Sequence, residues 1–216
     1  MPDLRRVPPG RAGLLWLRRR LGMARRGADL LGQQLRILQA ERQRFALLAE
    51  RTGEAWHAAS READTWLLRA ALIGGERAVR LANEAARADV DILWAQSMGV
   101  RYPSEATCTV PEPDPAGPPV GSAAVVMARA AYRRAVQAAV QHAVARAAVT
   151  IMEVEEAATR RRLRAIENRW IPALEQALAQ VRLGIEEREH AEAVRRRWAS
   201  DRHSQRFEAG VEQDLP

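Results

Sequence analysis

Glu186, Glu187, Glu189, His190 and Glu192 crowd one stretch of this sequence, and their side chains are of the types that ligate metals. Glu186 and His190 stand one helical turn apart, so a carboxylate and an imidazole could reach the same ion. No second histidine follows at helical spacing, and the stretch reads as a solvated face of opposite charges one turn apart. His57, His142 and His203 are distant in sequence and outline no triad. Cys108, the single cysteine, has no activating neighbour and reads as a buried strand residue. All 34 basic residues are arginine, because the chain contains no lysine. That excludes a phosphate loop of the G-x-x-x-x-G-K-[ST] type and excludes Schiff-base chemistry. No catalytic residue, metal site or cofactor is expected.

The net charge of +7 raises nucleic acid or an acidic surface as a partner. Arginine is spread along the chain between Glu and Asp, which resembles a solvated coiled-coil surface more than a nucleic-acid patch. The triplets Arg18-Arg19-Arg20, Arg160-Arg161-Arg162 and Arg195-Arg196-Arg197 suit acidic protein surfaces as well as phosphates. A lone cysteine allows no intrachain disulfide and fits a reducing compartment. Arginines interrupt every apolar run before it reaches the roughly 18 residues of a membrane span, and no signal peptide is expected.

The elements that would carry these residues are long helices. After Pro8-Pro9-Gly10, apolar or small residues recur at alternating steps of three and four. The series is Leu14, Leu17, Leu21, Ala24, Ala28, Leu31, Leu35, Leu38, Arg42, Phe45, Ala49, Thr52, Trp56, Ala59, Ala63, Trp66, Ala70 and Ile73. Only Arg42 and Thr52 break it, and a heptad sustained this long predicts a coiled-coil helix over 1–75. Gly22, Gly27, Gly32 and Gly53 fall off the seam and weaken it.

A second long helix is predicted over 122–216, with Ser122 as its N-cap and Val136, Val140, Val144, Ile151 and Val154 along one side. Leu163, Leu174 and Ile185 then stand eleven apart, as do Ile166 with Ala177 and Trp170 with Val181, while Pro172 should kink the helix or delete a hydrogen bond. Trp16, Trp56, Trp66, Trp170 and Trp198 read as packing residues. Between the helices, 76–121 predicts a short helix over 76–87, a β-hairpin and a proline-rich loop over 111–121. Val90, Ile92 and Trp94 alternate as in a half-buried strand, Gly99 marks the turn, and Tyr102 lies on the return strand, where Pro103 demands an edge or a bulge. The expected fold is all-α dominated: one domain with a long antiparallel two-helix coiled coil and a small central β-hairpin. Homodimerisation through the same stripes is the rival arrangement.

Specific motifs then narrow the choice. Pro9, Arg11, Leu14, Leu17 and Leu21, followed by Ala24, Gly27 and Leu30-Leu31, resemble the opening of the D subunit of the V-type and A-type rotary ATPases. Thr159-Arg160-Arg161-Arg162-Leu163-Arg164-Ala165-Ile166-Glu167 before Ile171-Pro172 resembles that family's most specific motif. Glu186 to Glu189 with Arg195-Arg196-Arg197 is similar to its closing segment. Gly32 and Gln34 stand where the family usually has lysine, and Arg164 where it has asparagine.

The resemblance implies a non-catalytic rotor shaft that couples ATP hydrolysis or synthesis to proton or sodium transport. Its implied partners are the catalytic A and B subunits, the small F subunit of the central stalk and a socket subunit on the membrane ring, with no nucleic acid. The implied location is peripheral, on the cytoplasmic face of the membrane. Partner contacts are expected at Arg11, Leu14, Leu17, Leu21, Arg160, Arg161, Arg162, Glu167, Pro172, Arg195, Arg196 and Trp198, and at Val90, Ile92, Trp94, Gly99 and Tyr102 of the hairpin. The alternative from the residues alone is an arginine-rich coiled-coil scaffold or a nucleic-acid-binding protein.

Overall fold

The computed structural model describes residues 7–82, 87–111 and 122–213, with side chains to residue 202. Helix α1 spans Gly10–Leu81, strands β1 (Asp89–Ser97) and β2 (Val100–Thr109) form an antiparallel hairpin, and helix α2 (Ala123–Ala165) passes through a π turn at Ile166–Trp170 into helix α3 (Ile171–Gln213). The predicted class, helical with one small hairpin, is the one observed. The chain divides into two compact units, Met1–Gly32 with Arg161–Pro216, and Gln33–Arg160.

In the unit Gln33–Arg160, α1 and α2 run antiparallel. Arg42 pairs with Glu156, Thr52 meets His142, and Glu62 pairs with Arg134, so the α2 partner recedes as α1 advances. The α1 seam is as the spacing predicts: Leu38, Phe45, Ala49, Ala63 and Ala70 are buried. It ends there, for Ile73 is exposed. At Gly75 the backbone turns to φ 70°, a left-handed value that any side chain would resist, and the helix resumes from Glu76 to Leu81 in a new direction. The predicted short helix over 76–87 is thus seen only to Leu81; residues 83–86 lie outside the described residues, and Arg87 is not helical. Residues 112–121 of the predicted loop also lie outside them.

The face expected on α2 is corrected. Of Val136, Val140, Val144, Ile151 and Val154, only Val144 is buried, and Val136 and Val154 are exposed. The buried line is Ala124, Ala128, Ala131, Ala135, Ala145, Val149, Met152, Glu156 and Thr159, again at steps of three and four or their sums. Large side chains on α1, such as Phe45 and Trp66, meet small ones on α2, which lets the two helices pack closely. Ser122 does precede α2, and its carbonyl accepts from Val125 N–H at 2.8 Å. Its hydroxyl is buried without a hydrogen-bond partner, so the expected side-chain cap is not made.

The hairpin lies on this helix pair through β2. Val100, Tyr102 and Ala106 are buried, and the Tyr102 ring meets Phe45 edge-on at 5.0 Å. Gln141 Nε2 donates to Ala106 O at 2.7 Å and Gln34 Nε2 to Met98 O at 3.3 Å, tying down both the strand and the turn. Met98 and Gly99 take φ of 50° and 82°, the positive pair that a two-residue hairpin turn requires. Leu93 pairs with Glu105 but Trp94 with Pro103, so Ser104 bulges out opposite them, as Pro103 demands. The expectation for β1 is overturned: Val90, Ile92 and Trp94 are exposed rather than half-buried. Period-two alternation identifies a strand, but not which strand of the hairpin lies on the helices.

In the other unit, Leu17, Leu21 and Ala24 of α1 are buried with Leu174 of α3, and Ile166, Trp170, Ala177 and Val181 pack around them. Of the residues spaced eleven apart, Leu174, Ile166 with Ala177 and Trp170 with Val181 share the inward side, while Leu163 and Ile185 are half-buried outside this cluster. Arg11 pairs with Glu189 and Arg25 with Glu175, which makes this helix pair antiparallel as well. Pro172 has no N–H to give, and the helix accommodates it with a π turn, in which Ile171 N–H reaches back to Ile166 O. The expected kink or lost bond thus takes the form of one wide turn just before the proline.

Candidate interaction surface

Partner contacts fall to side chains that the helix seams leave over. In the unit Met1–Gly32 with Arg161–Pro216, Leu17 and Leu21 are spent on the seam and Leu14 is half-buried beside it. Arg11 is exposed, and its guanidinium donates to Glu189 at 2.8 Å; that hydrogen bond, with the charge of Glu189, raises the Arg11 pKa. Arg161, Arg162, Glu167 and Arg195 are exposed, and Arg196 is paired with Glu192 one turn away at 3.5 Å. Pro172 is half-buried. Trp198, expected to pack, is 65% exposed, so an indole faces solvent between charged neighbours. Exposed ion pairs of this kind contribute about 0–1 kcal/mol each, so the surface is polar without being strongly committed to its own pairs.

In the unit Gln33–Arg160, the two breaks in the α1 seam each have a partner on α2. Arg42 Nε donates to Glu156 at 2.9 Å. The same carboxylate, only 7% exposed, also accepts from Gln39 at 3.3 Å and from Arg160 at 2.5 Å. A buried carboxylate is costly unless it is paired and hydrogen-bonded, and three donors meet that cost here. Arg160, an expected partner contact, is thus turned partly inward, unlike Arg161 and Arg162.

Thr52 returns its hydroxyl to Leu48 O at 2.8 Å and lies 3.4 Å from His142 Nδ1. His142 Nδ1 is 3.0 Å from Ala49 O, and because a carbonyl only accepts, that nitrogen carries the proton. The imidazole stacks on one side of Trp56 at 5.5 Å, and His57 stacks with the same indole at 5.1 Å. Gly53 makes the room, for a Cβ there would come within 3.1 Å of the His142 ring. Two histidines that outline nothing in the sequence are thus gathered around one tryptophan. The readable signal was Gly53, a glycine inside a long helix beside the seam positions Thr52 and Trp56.

Elsewhere on the same helix pair, Tyr132 donates to Asp64 at 2.9 Å; burial, then that hydrogen bond and the Asp64 charge, hold its pKa above the ordinary tyrosine value. Arg133 donates to the carbonyls of Val110, at 3.1 Å, and Pro111, anchoring the exit of β2.

Among the described residues, no group of three or more His, Cys, Asp and Glu is disposed to hold a metal, and no helix is long and apolar enough to cross a membrane. The surface offers exposed arginines, an exposed tryptophan and an exposed apolar strand, which is binding chemistry. The family model for the ATP synthase D subunit matches residues 13–201. The chain belongs to that family. A comparison with curated proteins gives no match. The family match begins and ends among the helical residues of the paired unit around Leu17 and Leu174, and it spans the hairpin. The chain is therefore a subunit of a rotary ATPase or ATP synthase complex.

Proposed function

We propose that this subunit is the central rotor shaft of a V/A-type ATPase or ATP synthase. In this reading 1–75 and 122–216 are the two strands of the shaft and 76–121 is the hairpin-bearing connection between them. The shaft turns inside the ring of catalytic A and B subunits, is clasped by the small F subunit of the stalk, and joins the membrane ring through a socket subunit. It is non-catalytic and peripheral to the membrane, and it couples nucleotide turnover to the movement of protons or sodium ions. The observation that carries the reading is the family match over residues 13–201. Antiparallel pairing of α1 with α2 and α3 supports it, because two helices locked by buried seams resist torsion better than one. So does a surface of exposed arginines, whose weak individual pairs suit contacts that form and release in turn.

The proposed contacts with the catalytic ring are Arg11, Arg161, Arg162, Glu167, Arg195, Arg196 and Trp198, all exposed. Cys108 is the only cysteine, so a single-cysteine test is accessible. In a Cys108→Ser background, Trp198→Cys is cross-linked by oxidation to a cysteine on the inner wall of the ring. Turnover by the reconstituted complex should stop and then return on reduction, while the isolated chain shows no ATPase activity. Full multi-site turnover in the cross-linked complex would exclude rotation of this subunit and with it the shaft.

A further inference from the structure

β1 is bordered on one side by β2 and, among the described residues, has no strand on the other. Its first six residues are exposed, and four of them are large and apolar: Val90 at 40%, Ile92 at 46%, Leu93 at 57% and Trp94 at 49%. A free strand edge is a row of unpaired N–H and C=O groups, and natural sheets guard it with proline, lysine or a bulge in the edge strand. β1 has no proline, lysine or bulge, since Pro103 and the bulge at Ser104 both lie in β2, the strand already covered by the helices, and its only charged guards, Asp89 and Asp91, stand in its first three residues.

The charge around this edge is the reverse of the chain's. Asp89 and Asp91 lie on β1, and Glu105 is paired with Leu93. No basic residue occurs between Asp89 and Val100, and the guanidinium of Arg101 sits 4.9 Å from the Trp94 ring.

We infer that the free edge of β1 accepts an extended segment of another subunit by strand addition, and that this segment alternates apolar side chains with arginine or lysine. Backbone hydrogen bonds along the edge supply affinity, Ile92 and Trp94 supply apolar contact, and the three carboxylates select a basic strand. A second copy of this chain fits less well. Pairing two β1 strands about Ile92 sets their Asp91 carboxylates diagonally across from each other, acid beside acid. The inference rests on the proposed function only in placing the partner within the rotary complex.

The test is amide hydrogen exchange over 89–97 in the full chain, alone and in the assembled complex, for the native sequence and for Asp89→Arg/Asp91→Arg. Both aspartates are exposed, so the double variant should keep its helical circular dichroism. Assembly should slow exchange in β1 by about tenfold or more, and the double variant should lose that protection. Native exchange unchanged by assembly overturns strand addition while leaving the shaft reading intact, and protection that survives the charge reversal overturns the basic partner. Protection that appears in the isolated chain as its concentration rises, together with a dimer in sedimentation, assigns the edge to a second copy and overturns the inference. A chain that never enters the complex counts against both this inference and the shaft reading.

Discussion

Arg42 Nε and the Glu156 carboxylate meet at 2.9 Å between α1 and α2, at a place where the helix seam otherwise takes apolar or small side chains. The pair specifies register. Sliding one helix by a turn would leave a buried carboxylate without Arg42 and put an arginine against alanine or methionine, a penalty that apolar seams alone do not impose.

Arg42→Met should lower stability by about 1–3 kcal/mol, because Glu156 stays buried with one donor fewer. Arg42→Met/Glu156→Leu should be less destabilised than the sum of its single changes, since apolar replacement of a buried pair removes the desolvation cost along with the attraction. Urea denaturation of the four chains measures the coupling. Strict additivity would mean that the two residues do not act as a pair.

Gly53→Ala pits helix propensity against a clash. Alanine gains about 1 kcal/mol in a helix interior, yet its Cβ would press on the His142 ring at 3.1 Å. In the native background the change should be neutral or destabilising by up to about 2 kcal/mol. With His142→Ala already present, the same change should stabilise by about 0.5–1 kcal/mol. Thermal melts in which the change is no more favourable with His142→Ala than without it would rule out the packing explanation for this glycine.

Tyr132 gives a pH dependence whose sign is determined. Its pKa is raised in the folded chain, by burial first and by Asp64 second, so the folded state holds the phenolic proton more tightly than the unfolded state. The stability this contributes is fully present below the ordinary tyrosine pKa of about 10 and is lost as the pH rises through the folded value. In a Tyr102→Phe chain, which keeps one tyrosine, phenolate absorbance should appear at a higher pH than in the denatured chain. Asp64→Asn should bring it part of the way back, since burial remains. Coincident titration curves for folded and denatured protein would contradict the raised value.

Much of the fold was legible in the sequence where the signal is periodic. The α1 seam from Leu17 to Ala70 follows the predicted steps, because burial on a helix repeats with the heptad whatever lies opposite. Gly99, Pro103 and the return strand carried their meaning locally, in a turn that needs positive φ and a residue that cannot join a ladder. The α2 seam was misread because valines drew attention from an alanine line at the same spacing. Hydrophobicity ranks valine higher, but a seam facing Phe45 and Trp66 needs small residues. The side chains at the surface were legible less well: most of the clustered arginines are exposed, but Arg20 is half-buried and Arg160 turns to Glu156, while Trp198 and β1 are far more exposed than packing residues should be.

By itself the sequence determined the helical class, the position of the hairpin, the absence of lysine chemistry and the family motifs near both ends, all of which depend on residue type and spacing along one chain. Only the tertiary structure decided which residues complete one another across the helices. Arg42 and Thr52 look like defects in a heptad until Glu156 and His142 arrive from α2, more than ninety positions away in one case and ninety in the other. Likewise, either strand of the hairpin could have covered the helices by its own pattern. The choice of β2 follows from Tyr102 meeting Phe45 and Gln141 reaching Ala106, contacts between distant segments that no local periodicity encodes.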